Sequence, residues 1–112
     1  MKRLSLILAA LALAFAMVAS AHTIGFTERT MVGGQELKPG DYKVEVEGNQ
    51  VTIFNGSHKI ELVAKQVLNA PHKFERSQVL INTEGGKNTL EEIRIGGSTT
   101  RLIFTDNPAP LD

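Results

Sequence analysis

Between Tyr42 and Glu47 the chain alternates without a break. Tyr42, Val44 and Val46 point one way, and Lys43, Glu45 and Glu47 point the other. A period of two belongs to a strand with one buried and one wet face, and no helix can use it. Pro39-Gly40 before it is a turn signal, because proline presets φ at one turn position and glycine accepts φ > 0 at another. Gly48-Asn49 ends the run, and a second strand, Gln50 to Asn55, follows at once. A two-residue loop at Gly48-Asn49 pairs Val46 with Val51 and Val44 with Ile53, and sets Tyr42 opposite Asn55. The apolar residues then share one face, so the register is self-consistent.

The rest of the chain repeats this plan. Asn55-Gly56 is the strongest hairpin signal. A loop there pairs Ile53 with His58 and Val51 with Ile60, and carries a third strand through Leu62 and Ala64. Ser77 to Thr83 reads as a strand with Val79 and Ile81 on one face and Leu80 on the other. Glu84 to Asn88 reads as a polar loop. Leu90 to Ile95 and Thr100 to Thr105 form a last hairpin around Gly96-Gly97-Ser98-Thr99. A four-residue loop there pairs Ile93 with Leu102 and sets Arg94 against Arg101. A two-residue loop pairs Glu92 with Arg101 instead, and both keep the same residues inside. His22 to Val32 gives mixed signals, with Ile24 and Phe26 apolar but Gly25 and Thr27-Glu28-Arg29-Thr30 between them and Met31-Val32. No stretch after Ala21 has a helical period. Six to seven short strands joined by turns imply a small antiparallel β-sandwich or partly open barrel.

The start of the chain follows another rule. Met1-Lys2-Arg3 is basic, Leu4 to Val18 is small or apolar except for Ser5, and Ala19-Ser20-Ala21 fits an A-x-A cleavage site. These are the parts of a secretory signal peptide. The apolar run is shorter than the roughly 20 residues that a membrane-spanning helix needs. Residues 1–21 are therefore expected to be a cleaved leader, 22–105 one β domain, and 106–112, with Asn107-Pro108-Ala109-Pro110, a flexible tail. The expected location is the periplasm or the medium, with no membrane span after cleavage.

Cleavage removes 21 of 112 residues, leaving 91, enough for one small core. Loss of Lys2 and Arg3 leaves ten basic against twelve acidic residues, a formal charge of −2. No basic stripe stands out, which argues against a nucleic-acid partner. There is no cysteine. That removes disulfides, thiol catalysis and thiolate metal sites, and leaves the hydrophobic core to hold the fold. The chain also has no tryptophan. Glycan-binding faces commonly stack sugars on aromatic rings.

The phrase Leu37-Lys38-Pro39-Gly40-Asp41-Tyr42-Lys43-Val44 resembles the strand entry of exported sandwich modules of the transthyretin or carboxypeptidase-regulatory-like type. With Ile93-Arg94-Ile95-Gly96-Gly97-Ser98-Thr99-Thr100-Arg101-Leu102-Ile103-Phe104, the longer pattern resembles small exported bacterial proteins of unknown function. That resemblance spans most of the chain after Ala21. It implies an exported all-β protein and brings no catalytic residues.

Three chemistries can be set against these residues. Cleavage after Ala21 would make His22 the N-terminus, whose amine and imidazole can chelate Cu(II), with His58 or His72 as a further ligand. This resembles the copper brace of lytic polysaccharide monooxygenases and the N-terminal site of small periplasmic copper carriers. A serine hydrolase would need a nucleophile, a base and an acid. No nucleophile-elbow spacing surrounds Ser57, Ser77 or Ser98. Paired carboxylates among Glu45, Glu47 and Glu61 would suit glycoside hydrolysis, but Lys43, Lys59 and Lys65 are interleaved with them as on a solvated surface. The expectation is an exported, non-enzymatic β-module without a cofactor that binds a protein or an envelope component. A copper-binding periplasmic protein is the alternative, and a small hydrolase a second one.

Overall fold

The computed structural model describes residues 22–111; the leader assigned to 1–21 lies outside the described residues. Ten strands and no helix are described: β1 (His22–Phe26), β2 (Thr30–Val32), β3 (Gln35–Leu37), β4 (Gly40–Glu47), β5 (Gln50–Asn55), β6 (His58–Val63), β7 (Gln66–Asn69), β8 (Gln78–Glu84), β9 (Lys87–Arg94) and β10 (Thr100–Ile103). They form two sheets, one in the order β1-β4-β5-β6 and one in the order β3-β2-β9-β10-β7 with β8 also on β9. The architecture is the expected small β-sandwich, and it does not close into a barrel. Strands outnumber the expectation because 22–37 splits into three short ones and β7 stands apart from β6.

The first sheet follows the local pattern. Val44 faces Ile53 and Val46 faces Val51, as the alternation requires. Gly48, at φ 64°, supplies the left-handed residue of that turn. The next hairpin corrects the predicted register. Its loop is Gly56-Ser57, not Asn55-Gly56, so Asn55 faces His58, Ile53 faces Ile60 and Val51 faces Leu62. The reason is backbone conformation: Gly56 takes φ 60°, and no described non-glycine residue has a positive φ. Asn55 therefore stays in the ladder. β1 completes the sheet against β4, with His22 opposite Val44 and Ile24 opposite Tyr42.

The second sheet is built around β9. β8 runs along one edge of β9 from Gln78↔Arg94 to Glu84↔Lys87. The other edge is shared: β2 lies parallel to it at Thr89, and β10 antiparallel over Glu92 to Arg94. The expected polar loop 84–88 is mostly strand, with only Gly85-Gly86 turning between Glu84 and Lys87. Between Leu80↔Glu92 and Ile81↔Leu90 the register shifts, leaving Glu91 as a bulge. The bulge explains how Leu90 and Ile93, three apart, both reach the core. The last hairpin uses the four-residue loop, so Ile93 faces Leu102 and Arg94 faces Arg101.

One core joins the sheets. Ile24, Tyr42, Val44, Ile53 and Ile60 from the first meet Val32, Leu37, Leu90, Ile93 and Leu102 from the second. Phe26 and Tyr42 pack edge to face at 5.6 Å between ring centres. The chain changes sheets at Ala64-Lys65: Ala64 N–H donates to Asn49 O at 2.8 Å in the first, and Lys65 N–H to Ile103 O at 2.7 Å in the second. This strand-switching corner closes one side of the sandwich. On the other side β1 and β8 come together without pairing.

Candidate partner-binding edge

β8 has seven residues and is bonded on one side only. Gly85 and Gly86, at φ 60° and 79°, form a tight turn whose hydrogen bond joins Glu84 to Lys87. Alternation from that pair turns the N–H and C=O groups of Gln78, Leu80, Asn82 and Glu84 toward β9. Those of Val79, Ile81 and Thr83 point to the open edge. An open row of this kind is a template for another strand.

Natural sheets guard such rows with lysine, proline, bulges or short strands. The other open edges are all shorter than β8, and one of them carries a lysine. β3 has three residues and β7 four. β1 has five, one of them Gly25. β6 carries Lys59 and Glu61, ion-paired at 3.3 Å with both side chains exposed. β8 carries Gln78, Val79, Leu80, Ile81, Asn82 and Thr83, with its one charge at the end, on Glu84. Its bulge lies in β9, so β8 itself runs regularly. Ile81 is 37% exposed despite facing the core side. Beside it a shallow hollow is lined by Phe26, Thr27, Glu28, Val79, Ile81 and Thr83. Asn88 ties the floor together, donating to Glu28 Oε2 at 2.9 Å and accepting from Thr83 Oγ1 at 2.6 Å.

The strand that carries β8 is anchored by charge. Glu92 sits on the outer face of the second sheet, yet its side chain has no exposed surface. Arg101 grips it twice, Nε to Oε2 at 2.8 Å and Nη2 to Oε1 at 2.9 Å. Arg94 Nε donates to the same Oε2 at 2.7 Å and its guanidinium lies 5.6 Å from the centre of the Phe74 ring. Arg101 Nη2 also donates to Ala109 O at 2.6 Å, so the segment after β10 reaches back over the cluster. Burial pushes the Glu92 carboxyl up, but the hydrogen bonds from Arg101 and Arg94 outweigh it and hold the group below its ordinary value. The Glu92 bonds push Arg101 up. The cluster is a bidentate, desolvated ion group.

The three histidines do not converge. His22 is on β1 and His58 on β6, the two outer strands of the first sheet. Three interstrand gaps separate them, about 14 Å. His72 lies in the connection between β7 and β8. No group of three or more His, Cys, Asp or Glu is placed to hold a metal among the described residues. His58 is exposed at the hairpin end, not inward beside Ile53, because the loop is one residue later than predicted. It lines a hollow with Glu36, Lys38, Tyr42 and Asn55, where the Tyr42 hydroxyl donates to Lys38 O at 2.8 Å.

The serines serve the last hairpin. Ser77 Oγ accepts from Gly96 N–H at 2.9 Å, while Ser98 Oγ–H donates to Ile95 O at 2.9 Å. Ser57 is exposed in a turn. Glu45 and Glu61 flank Thr52 on separate strands, about 10 Å apart.

The fold and its edge define a two-sheet sandwich with one long unguarded strand. No family model, curated protein or solved structure matches the chain. No helix among the described residues is long and apolar enough to cross a membrane.

Proposed function

We propose that this chain is an exported β-module that binds a protein of the cell envelope by accepting an extended segment along β8. One observation carries the reading: the longest open edge has no lysine, arginine or proline along it, and its one charge, Glu84, lies at its end. In strand addition, main-chain bonds supply affinity and alternate side chains supply selectivity. Val79, Ile81 and Thr83 would offer the bonds, and the hollow beside them would receive side chains from the added strand. The sequence features of residues 1–21 support export.

A photoreactive residue at Asn82, compared with one at Lys59 on the guarded edge, tests the binding. A covalent protein adduct from position 82 and none from position 59 is the expected pattern. Adducts from both or from neither would overturn it. Mass spectrometry of the N-terminal residue checks export, and retention of residues 1–21 would count against it.

A further inference from the structure

We infer that the segment accepted by β8 is β8 of a second copy, paired antiparallel about a twofold axis through Ile81. This rests on the reading that β8 accepts a strand, and it names the occupant.

The argument is one of register. In an antiparallel pair centred on Ile81, Ile81 faces its twofold mate, Val79 faces the mate of Thr83, Leu80 that of Asn82, and Gln78 that of Glu84. The residues whose N–H and C=O groups point to the open edge are Val79, Ile81 and Thr83. In this register they meet one another and no others. About six backbone hydrogen bonds result, with none left over on either strand. Any register shifted by one residue would aim these groups at positions already bonded to β9.

The side chains agree. β-Branched Ile81 meets itself, and Val79 meets threonine, the pairings that suit a sheet. Leu80 and Asn82 meet on the outer face. The one charge, Glu84, meets neutral Gln78, so no like charges oppose. A lysine at 81 would oppose its own copy, and one at 82 or 83 would oppose Leu80 or Val79. The partner edge is present in every copy, its bonding groups match, and no like charges oppose. The two six-stranded sheets would join into one continuous sheet, and the hollow beside Ile81 would be roofed by its mate.

Cysteine substitutions test the register, since the chain has no cysteine of its own. In the twofold pair Ile81→Cys places two sulfurs across from each other, within the Cα separation of about 5.5 Å that a disulfide spans. Thr83→Cys leaves its two copies roughly 14 Å apart, too far to bridge. Mild oxidation of the full exported chain is expected to link Ile81→Cys into dimers and leave Thr83→Cys unlinked. Sedimentation equilibrium is expected to give twice the chain mass for the unsubstituted protein. Ile81→Lys, which opposes two charges at the axis, should weaken that association at least about tenfold. Its far-UV spectrum should be unchanged.

A monomer at millimolar concentration, or equal linking at both positions, overturns the twofold pair. If the chain is monomeric while position 82 still crosslinks to another protein, the second copy is excluded and strand acceptance stands. If neither occurs, both readings fall.

Discussion

Arg94 and Arg101 stand directly opposite each other across the β9–β10 ladder, and the single carboxylate of Glu92 holds both. Like charges in that position repel. Here the repulsion is answered by a group two residues from Arg94 on the same strand face, with Phe74 and the carbonyl of Ala109 closing the site.

Removing the carboxylate should therefore harm the fold more than removing the whole cluster. Glu92→Ala leaves buried Arg101 without its partner and is expected to cost about 3–5 kcal/mol. The triple variant Glu92→Leu, Arg94→Leu, Arg101→Met should be near neutral by comparison. Urea unfolding of the two proteins decides the point, and equal losses would refute the desolvated-ion account.

Acid should act through the same carboxyl. Its pKa is lowered in the folded chain, so its contribution is complete above its ordinary value of 4.5 and is lost as pH falls through the lower folded value. Thermal melts from pH 7 to pH 3 should show a loss beginning only below about 4.5, and Glu92→Gln should flatten that part of the curve. Arg101, shifted upward, stays charged throughout.

Gly96 and Gly97 are adjacent but not equivalent. A Cβ on Gly96 would sit 2.5 Å from Ser77 N and 2.6 Å from Arg76 C, both backbone atoms. A Cβ on Gly97 meets nothing within 4 Å, and its φ of 76° is the only obstacle. Gly97→Ala should cost about 1–2 kcal/mol. Gly96→Ala should cost more and should raise hydrogen exchange in the segment around Phe74. That segment is held by Phe74 N–H to Ser98 O and Gly97 N–H to Phe74 O. Equal costs would show that the segment yields freely.

The common core should respond as a packed interior. Ile93 has no exposed surface, and Ile93→Ala is expected to cost about 2–5 kcal/mol. Val63, 57% exposed, should accept threonine with a change below about 0.5 kcal/mol. Calorimetry on both variants provides the comparison.

Local chemistry made part of this molecule readable. Alternation and a two-residue turn were enough to place Val44 against Ile53, because a slip of one residue would have turned every side chain over. The class of fold followed from the same pattern repeated. The third strand was misregistered, since Asn55 and Gly56 both tolerate a left-handed backbone and only the folded chain shows which one uses it. The parallel pairing of Met31 with Thr89 has no local signal at all. Nor has the burial of Glu92: its strand face is outward, and what covers it comes from distant segments. The edge of β8 was equally hidden. Val79, Leu80 and Ile81 announce a strand, but which strand is left at an edge depends on the order of all the others.

The parallel contact also dates the events of folding. Asn88 reaches Glu28 across 60 positions of sequence. A chain that emerges from its N-terminus can complete β4, β5 and β6 from neighbours alone. The β2–β3 hairpin must wait, unroofed, until β9 exists. Loops of that length close slowly, and topologies rich in them fold late. The first sheet can therefore form from neighbours in sequence, and the second is a clasp that cannot fasten before β9 is available.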